Sequence, residues 1–200
     1  MKHNNKILEA LLEESVKIFP EHYARIEEKA RSLYLEFCKQ EEGKPKEITM
    51  HTVRQIYPCI AFYKAVIAET GQQEAAYKII DGYFQKKAAA TAEKMRKILK
   101  LPFVYNFIPK IMTAVIRKIF GRRSGFEMTE HKTDGKVCHI DMLRCPYFQT
   151  CSACGCPELT AAFCNSDDTA YGNLHPKLSW ERKKTLGRGD DCCDFILRVK

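Results

Sequence analysis

Five of the ten cysteines in this 200-residue chain fall in one stretch, Cys145 to Cys164, which reads CPYFQTCSACGCPELTAAFC. Thiols at that density suit metal ligation, a disulfide framework or nucleophilic catalysis. Cys151 and Cys154 form a C-x2-C pair, but structural zinc takes two well-separated pairs and no second pair follows. Cys192 and Cys193 do not supply it, because adjacent strand residues point to opposite faces. The spacing C-x5-C-x2-C-x-C also matches neither ferredoxin run. Zinc and iron-sulfur are therefore disfavoured, and no cofactor is expected. Cys145 and Cys156 each precede a proline, which is favoured at the first turn of a helix, so both are candidate N-caps. There the helix dipole favours a reactive thiolate; the commoner alternative is a small buried hydrophobe.

Charge on a core face is the second chemical signal. In LSWERKKTL, strand alternation puts Leu178, Trp180, Arg182, Lys184 and Leu186 together, so Arg182 shares an apolar face. Such an arginine must be paired internally, with Glu158 or Asp167 as candidates, or must bind an anion. In CDFILRV, Cys193, Phe195, Leu197 and Val199 share one face and Asp194 lies on the other. Cys164 and Asp167, three apart on a helix, project the same way.

These groups need a scaffold, and the chain is long enough to bury a core: 45% of its residues are hydrophobic and 29% charged. The N-terminus has acidic residues inside its apolar periodicity and does not read as a signal peptide, so a cytoplasmic location is expected. Reducing conditions there argue against a disulfide framework. The net charge of +8 is concentrated: residues 86–124 hold eleven Lys or Arg against Glu93 alone, a local +10. No nucleic-acid module surrounds this block, so nucleic acid is not an expected partner.

Apolar periodicity reads as helices over the first 120 residues. One stripe is Ile7, Leu8, Leu11, Leu12, Ser15, Val16 and Phe19; a second is Tyr23, Ile26, Ala30, Leu33, Tyr34 and Phe37. A third run follows Thr49, with Pro58 expected to kink or interrupt it. Thr70-Gly-Gln-Gln73 fits a capping box opening a long helix to about Leu99. Residues 101–120 are mostly apolar, but Lys110, Arg117 and Lys118 argue against a membrane-spanning segment. A helix wedged between neighbours is favoured there over one lying on a membrane surface.

Beyond Gly125 the pattern changes to strands: Phe126 to Lys132, Lys136 to Leu143, Leu178 to Leu186, and Cys193 to Val199. A three-residue loop with Gly135 left-handed would pair Met128 with Ile140 and Phe126 with Met142. The expected fold is α+β, an N-terminal helical bundle (1–124) followed by a four-stranded antiparallel sheet with short helices on one face (125–200), packed together.

The residues from Cys145 onward resemble the L-2-amino-thiazoline-4-carboxylic acid hydrolases. The resemblance is carried by Cys145-Pro-Tyr147, Gly155-Cys-Pro-Glu-Leu159, Phe163-Cys-x-x-Asp167-Asp168, Tyr171, His175-Pro-x-Leu178, Arg182-x-x-Thr185-Leu-Gly-x-Gly189 and Cys193-Asp-Phe195. It implies hydrolysis of a cyclic isothiourea carrying a carboxylate to a carbamoyl-cysteine. Such a reaction needs a carboxylate anchor, a nucleophile or activated water at the ring carbon, and an acid for the leaving atom. Arg182 is the expected anchor, with Thr185 and His175 beside it on the substrate. Cys164 or Cys193 is the candidate nucleophile, and Asp167 or Glu158 the candidate acid or base.

The plan of helices, hairpin, helix and a final strand pair also resembles, more distantly, the 4-vinyl-reductase ligand-binding domains, some of them zinc-bearing sensors. Of their Glu-x-x-Cys and following cysteine, only Cys193 is matched, since Arg182 and Thr185 occupy the first two positions. A non-catalytic small-molecule-binding module is thus the alternative. The expected partner is a small anionic or zwitterionic substrate, with a homodimer as a further option.

Overall fold

The computed structural model describes residues 5–131 and 133–200. Helices α1 (Lys6–Ile18), α2 (Tyr23–Gln40), α3 (Lys46–His51), α4 (Tyr57–Thr70) and α5 (Gln73–Leu99) build the N-terminal bundle. α4 sits at its centre, burying Ile60, Ala61, Phe62 and Tyr63 on successive positions, as a helix apolar all round must. The stripes on α1 and α2 pack against it, except that Val16 is exposed.

Pro58 interrupts the third run in a specific way. Helix α3 passes through a π-turn, Thr52–Ile56, before α4 begins with Pro58 in its first turn. Proline has no N–H to give the carbonyls one turn back, and buried carbonyls need another donor. Asn5 Nδ2 supplies it to Val53 O (3.3 Å) and Arg54 O (3.2 Å), and the Tyr34 hydroxyl donates to Val53 O at 3.1 Å. Asn5 Oδ1 meanwhile caps α1, accepting from Ile7 N and Leu8 N. The buried Glu41 carboxylate holds the same turn from the other side through Thr52 Oγ1 (2.8 Å) and Tyr57 OH (3.0 Å).

The capping box at Thr70 does not form. Thr70 ends α4, its hydroxyl donating back to Val66 O, and Gly71 takes the left-handed position (φ 69°) that closes that helix. α5 therefore starts without a side-chain cap. α6 (Ile108–Ile119) is wedged on one side only. Ile108, Thr113 and Ile116 are buried, whereas Phe107, Ile111 and Val115 are exposed.

The sheet has strands β1 (Glu127–Glu130), β2 (Val137–Arg144), β3 (Leu178–Glu181) and β4 (Cys193–Val199), all antiparallel in the order β1-β2-β4-β3. Lys132, the last residue expected in the first strand, lies outside the described residues. Met128 pairs with Met142 and Glu130 with Ile140, two residues away from the expected register. A shift of two leaves every side chain on its face. Gly135 is not left-handed; instead Asp134 Oδ1 accepts from Lys136 N (2.8 Å) and Val137 N (2.9 Å), closing a longer loop.

β3 is shorter than its alternation suggests. Past Glu181 the amides of Lys183 and Lys184 both donate to Asp194 Oδ1, and Thr185 N donates to Asp190 Oδ2. Carboxylates thus take the donors that a ladder would need, and the chain leaves the sheet. Arg182 lies just past the strand end, and Lys184 turns outward to Asp191. Helices α7 (Pro146–Ala153) and α8 (Thr160–Tyr171) follow Cys145 and Cys156, which do occupy the N-cap positions of α7 and of a short 3-10 turn leading into α8. The sheet's inner face is covered by α6 as well as by the cysteine-rich helices.

Asn5→Ala removes one helix cap and one carbonyl donor together. Its urea midpoint is expected to fall by the equivalent of about 2 kcal/mol, with Asn5→Asp recovering only the cap.

Candidate functional site

Between α6, α8 and the sheet lies a cavity of about 440 Å³. The π-turn region contributes His51 and Gln55, α5 contributes Phe84, and α6 contributes Met112 and Ile116. The sheet adds Cys138, Met142, Trp180, Cys193, Phe195 and Leu197. α8 adds Phe163, Cys164, Ser166, Asp167 and Tyr171, and Cys145 and Tyr147 close the remaining side. Cys164 and Asp167 thus do share a helix face, and Cys193 and Phe195 meet them from β4.

Asp167 carries the charge of this otherwise apolar space. Its side chain is 38% accessible and lines the cavity, yet protein surrounds the carboxyl on nearly all sides. What remains accessible of it faces the cavity. Burial raises its pKa to about 7, with Asp168 adding to the rise and Arg182 opposing it. Behind it the Arg182 guanidinium is 1% exposed. Its NH1 donates to Asp167 Oδ2 (3.3 Å), and NH2 donates to Asp168 Oδ2 (2.5 Å) and Cys164 O (2.9 Å). Of the two expected partners, Arg182 therefore takes Asp167, and also Asp168. Asp168 additionally accepts from Trp180 Nε1 at 3.0 Å. Arg182 does not line the cavity and lies where it can position Asp167.

The thiols are held neutral. Burial pushes Cys164 far above the usual range and raises Cys193, whose sulfur accepts from Leu186 N at 3.3 Å. At Cys145 the amides of Tyr147 and Phe148 pull toward thiolate, as an N-cap should, but burial outweighs them and the pKa is pushed up to about 11. Cys156 is shifted downward by its hydrogen bond with Cys151; neither thiol lines the cavity.

His51 is a site residue that the sequence did not single out. Its Nε2–H donates to Ile119 O (3.3 Å), so Nδ1 accepts from the Tyr147 hydroxyl (3.2 Å). Burial lowers its pKa and favours the neutral ring. Its one sequence signal was Pro58, which forces the π-turn that follows it.

Besides Arg182, three expected site residues stand away from the cavity lining. Glu158 Oε1 accepts from Tyr63 OH (2.6 Å) and Gln73 Nε2 (3.2 Å). His175 stacks on Tyr105 with ring centroids 4.7 Å apart and accepts from Lys177 N. Thr185 is buried in the turn closed by Asp190. The cysteines of 145–164 do not converge into a ligand set. Among the described residues, the one group of three donors within 4.8 Å is His131, His139 and Asp141, on the sheet's outer face. His131 Nε2 lies 2.7 Å from Asp141 Oδ2.

Two outcomes check this electrostatic arrangement. Cys145, Cys164 and Cys193 in the folded protein are expected to react with iodoacetamide at pH 7.5 at least ~10-fold more slowly than a free thiol, as residue-resolved mass spectrometry would read. Asp167 keeps its proton to about pH 7 when folded, whereas an unfolded chain releases it near ~4. The folded state thus binds the extra proton, and this group's contribution to stability falls as pH rises through that window. Asp167→Asn should therefore lose less stability than the wild type between pH 5 and pH 8, measured from denaturant midpoints.

The sequence model of the L-2-amino-thiazoline-4-carboxylic acid hydrolases matches residues 49–197. No curated protein and no solved structure matches the chain. The family match is wider than the motif region from Cys145 onward, reaching back to α3, and every residue lining the cavity falls inside it. On that coverage the chain belongs to the L-2-amino-thiazoline-4-carboxylic acid hydrolase family.

Proposed function

We propose that the chain adds water to a small cyclic isothiourea or amidine of the 2-amino-thiazoline-4-carboxylate type, opening the ring to a carbamoyl-cysteine. The observation that carries this reading is the Asp167 carboxyl facing a mainly apolar cavity with a pKa near 7. A group titrating there has both its forms at hand near neutrality, the condition for efficient proton transfer in either direction. The ionised form takes a proton from water as the water oxygen bonds to the ring carbon between nitrogen and sulfur. Asp167 passes that proton to the ring nitrogen, which receives the electron pair of the carbon–nitrogen double bond. Asp167 then takes the remaining hydroxyl proton as the carbonyl forms and the carbon–sulfur bond breaks, and gives it to the leaving sulfur.

The neutral thiols argue for water, rather than Cys164 or Cys193, as the attacking group. Arg182 acts as a positioning residue: it fixes the Asp167 carboxylate and keeps its pKa from rising further. The lining itself carries no lysine or arginine among the described residues. The cavity therefore supports the ring chemistry more directly than it supports the substrate's carboxylate. That apolar lining is also the observation that favours a second reading, a binding module that holds an uncharged small molecule without consuming it.

Incubation with 2-amino-thiazoline-4-carboxylate, followed by mass spectrometry for the carbamoyl-cysteine, separates the two. Catalytic product formation is expected, with kcat/KM rising through about pH 7 and then level. Asp167→Asn should lose ~100-fold or more and the inflection with it. Saturable binding of a small uncharged aromatic compound with no product from any thiazoline would favour the binding module.

A further inference from the structure

The outer face of α6 has no function in the chemistry above and is built unlike a solvated surface. Phe107 and Ile111 are 59% and 52% exposed, and Val115 continues the row at i+4 spacing. Leu101 and Phe103, in the bend before α6, are exposed as well. Phe103 is 70% exposed and is the one described non-glycine residue with positive φ (65°). Backbone strain at a bulky residue persists only where the surroundings enforce it; here it holds an aromatic ring in solvent. Exposed large apolar side chains at i+4 spacing, with two more in the adjoining bend, mark a docking surface.

Charge selects the occupant. Lys110 and Lys118 flank the row on α6, Lys100 precedes it and Arg122 follows it, and none of these four makes an ion pair among the described residues. Residues 86–124 carry a net +10. A second copy of this chain would bring two such segments face to face, which like-charge repulsion opposes. An apolar row rimmed by unpaired lysines instead fits an interface with anionic headgroups above and acyl chains below. Among the described residues no single helix is long and apolar enough to cross a membrane; α5 and the segment Val104–Ile119 reach that length and composition only together, bent by 119°, and the unpaired lysines along α6 favour a helix lying in the surface plane.

We propose that the α6 face, from Leu101 to Lys118, docks on an anionic lipid bilayer, with Phe103 and Phe107 entering the acyl boundary and Lys100, Lys110, Lys118 and Arg122 meeting the headgroups. The inner face of the same helix, Met112 and Ile116, walls the cavity, so docking sets the cavity beside the bilayer. This assignment does not depend on which molecule the cavity takes.

Co-sedimentation of the full chain with phosphatidylcholine vesicles, with and without phosphatidylglycerol, tests it. Binding is expected to the anionic vesicles and to weaken with salt. Phe103→Ser with Phe107→Ser should weaken it by roughly tenfold or more, and Lys110→Glu with Lys118→Glu should remove the preference for phosphatidylglycerol. All four positions are exposed, so circular dichroism of the variants should match the wild type. Failure to sediment with either vesicle overturns the proposal. So does a concentration-dependent dimer in sedimentation velocity that the two serine substitutions abolish, which would make the face a contact between copies.

Discussion

A buried guanidinium ties the sheet to α8. Arg182, at the point where β3 leaves the sheet, reaches across to α8 and is met there by Asp167, Asp168 and the Cys164 carbonyl. A fully buried arginine has no stable alternative to such partners, since an uncompensated charge in this setting costs several kcal/mol, on the order of 3 to 5. The ion pairs fix the distance between α8 and the sheet, and the cavity is the space that distance leaves. They also fix which face of α8 looks inward. With Asp167 tied to Arg182, Cys164 one turn earlier must line the same cavity.

Much of this was readable in advance because the relevant spacings are local. Alternation along β4 identified Cys193, Phe195 and Leu197 as one face, and helical spacing paired Cys164 with Asp167. Alternation failed on β3 because it counts side chains and ignores competing acceptors. Asp190 and Asp194 take the amides of residues 183–185, and the strand ends there. At the hairpin the acceptor was Asp134, and a longer loop replaced the one that Gly135 suggested. The capping box at Thr70 failed for a related reason: Gly71 is better used closing α4 than opening α5, because its left-handed φ is free there. In each case a carboxylate or a glycine had two local uses, and tertiary context chose between them.

The wall contributed by the bundle was not readable. His51 precedes the cysteine-rich stretch by almost a hundred positions, and its immediate neighbours carry no chemical motif. It reaches the cavity because Pro58 leaves carbonyls unpaired, Asn5 and Tyr34 take them, and the π-turn this creates sets the orientation of α3 and its last residue. π-turns are rare and costly to helices, and they persist where they aim something. Here what they aim is an imidazole held between Ile119 O and the Tyr147 hydroxyl. Proline inside a helical pattern was thus the one visible trace of a site wall.

The abundance of cysteine takes on a different meaning once the cavity is drawn. Cys138, Cys145, Cys164 and Cys193 all line it, and each is raised in pKa chiefly by burial. They act as small apolar surface with weak donors, which is how free buried cysteine commonly behaves. The same low-dielectric walls that silence these thiols raise Asp167 to about 7. The two effects are one cause acting on acids of different intrinsic strength: a thiol moved up from its usual value leaves the neutral range, while a carboxyl moved up enters it. Greater solvation would therefore lower both kinds of acid, and would take the carboxyl back below the neutral range. Burial selects Asp167 as the group that can move a proton, and α6, with one face on the cavity and the other on the surface, supplies part of that wall.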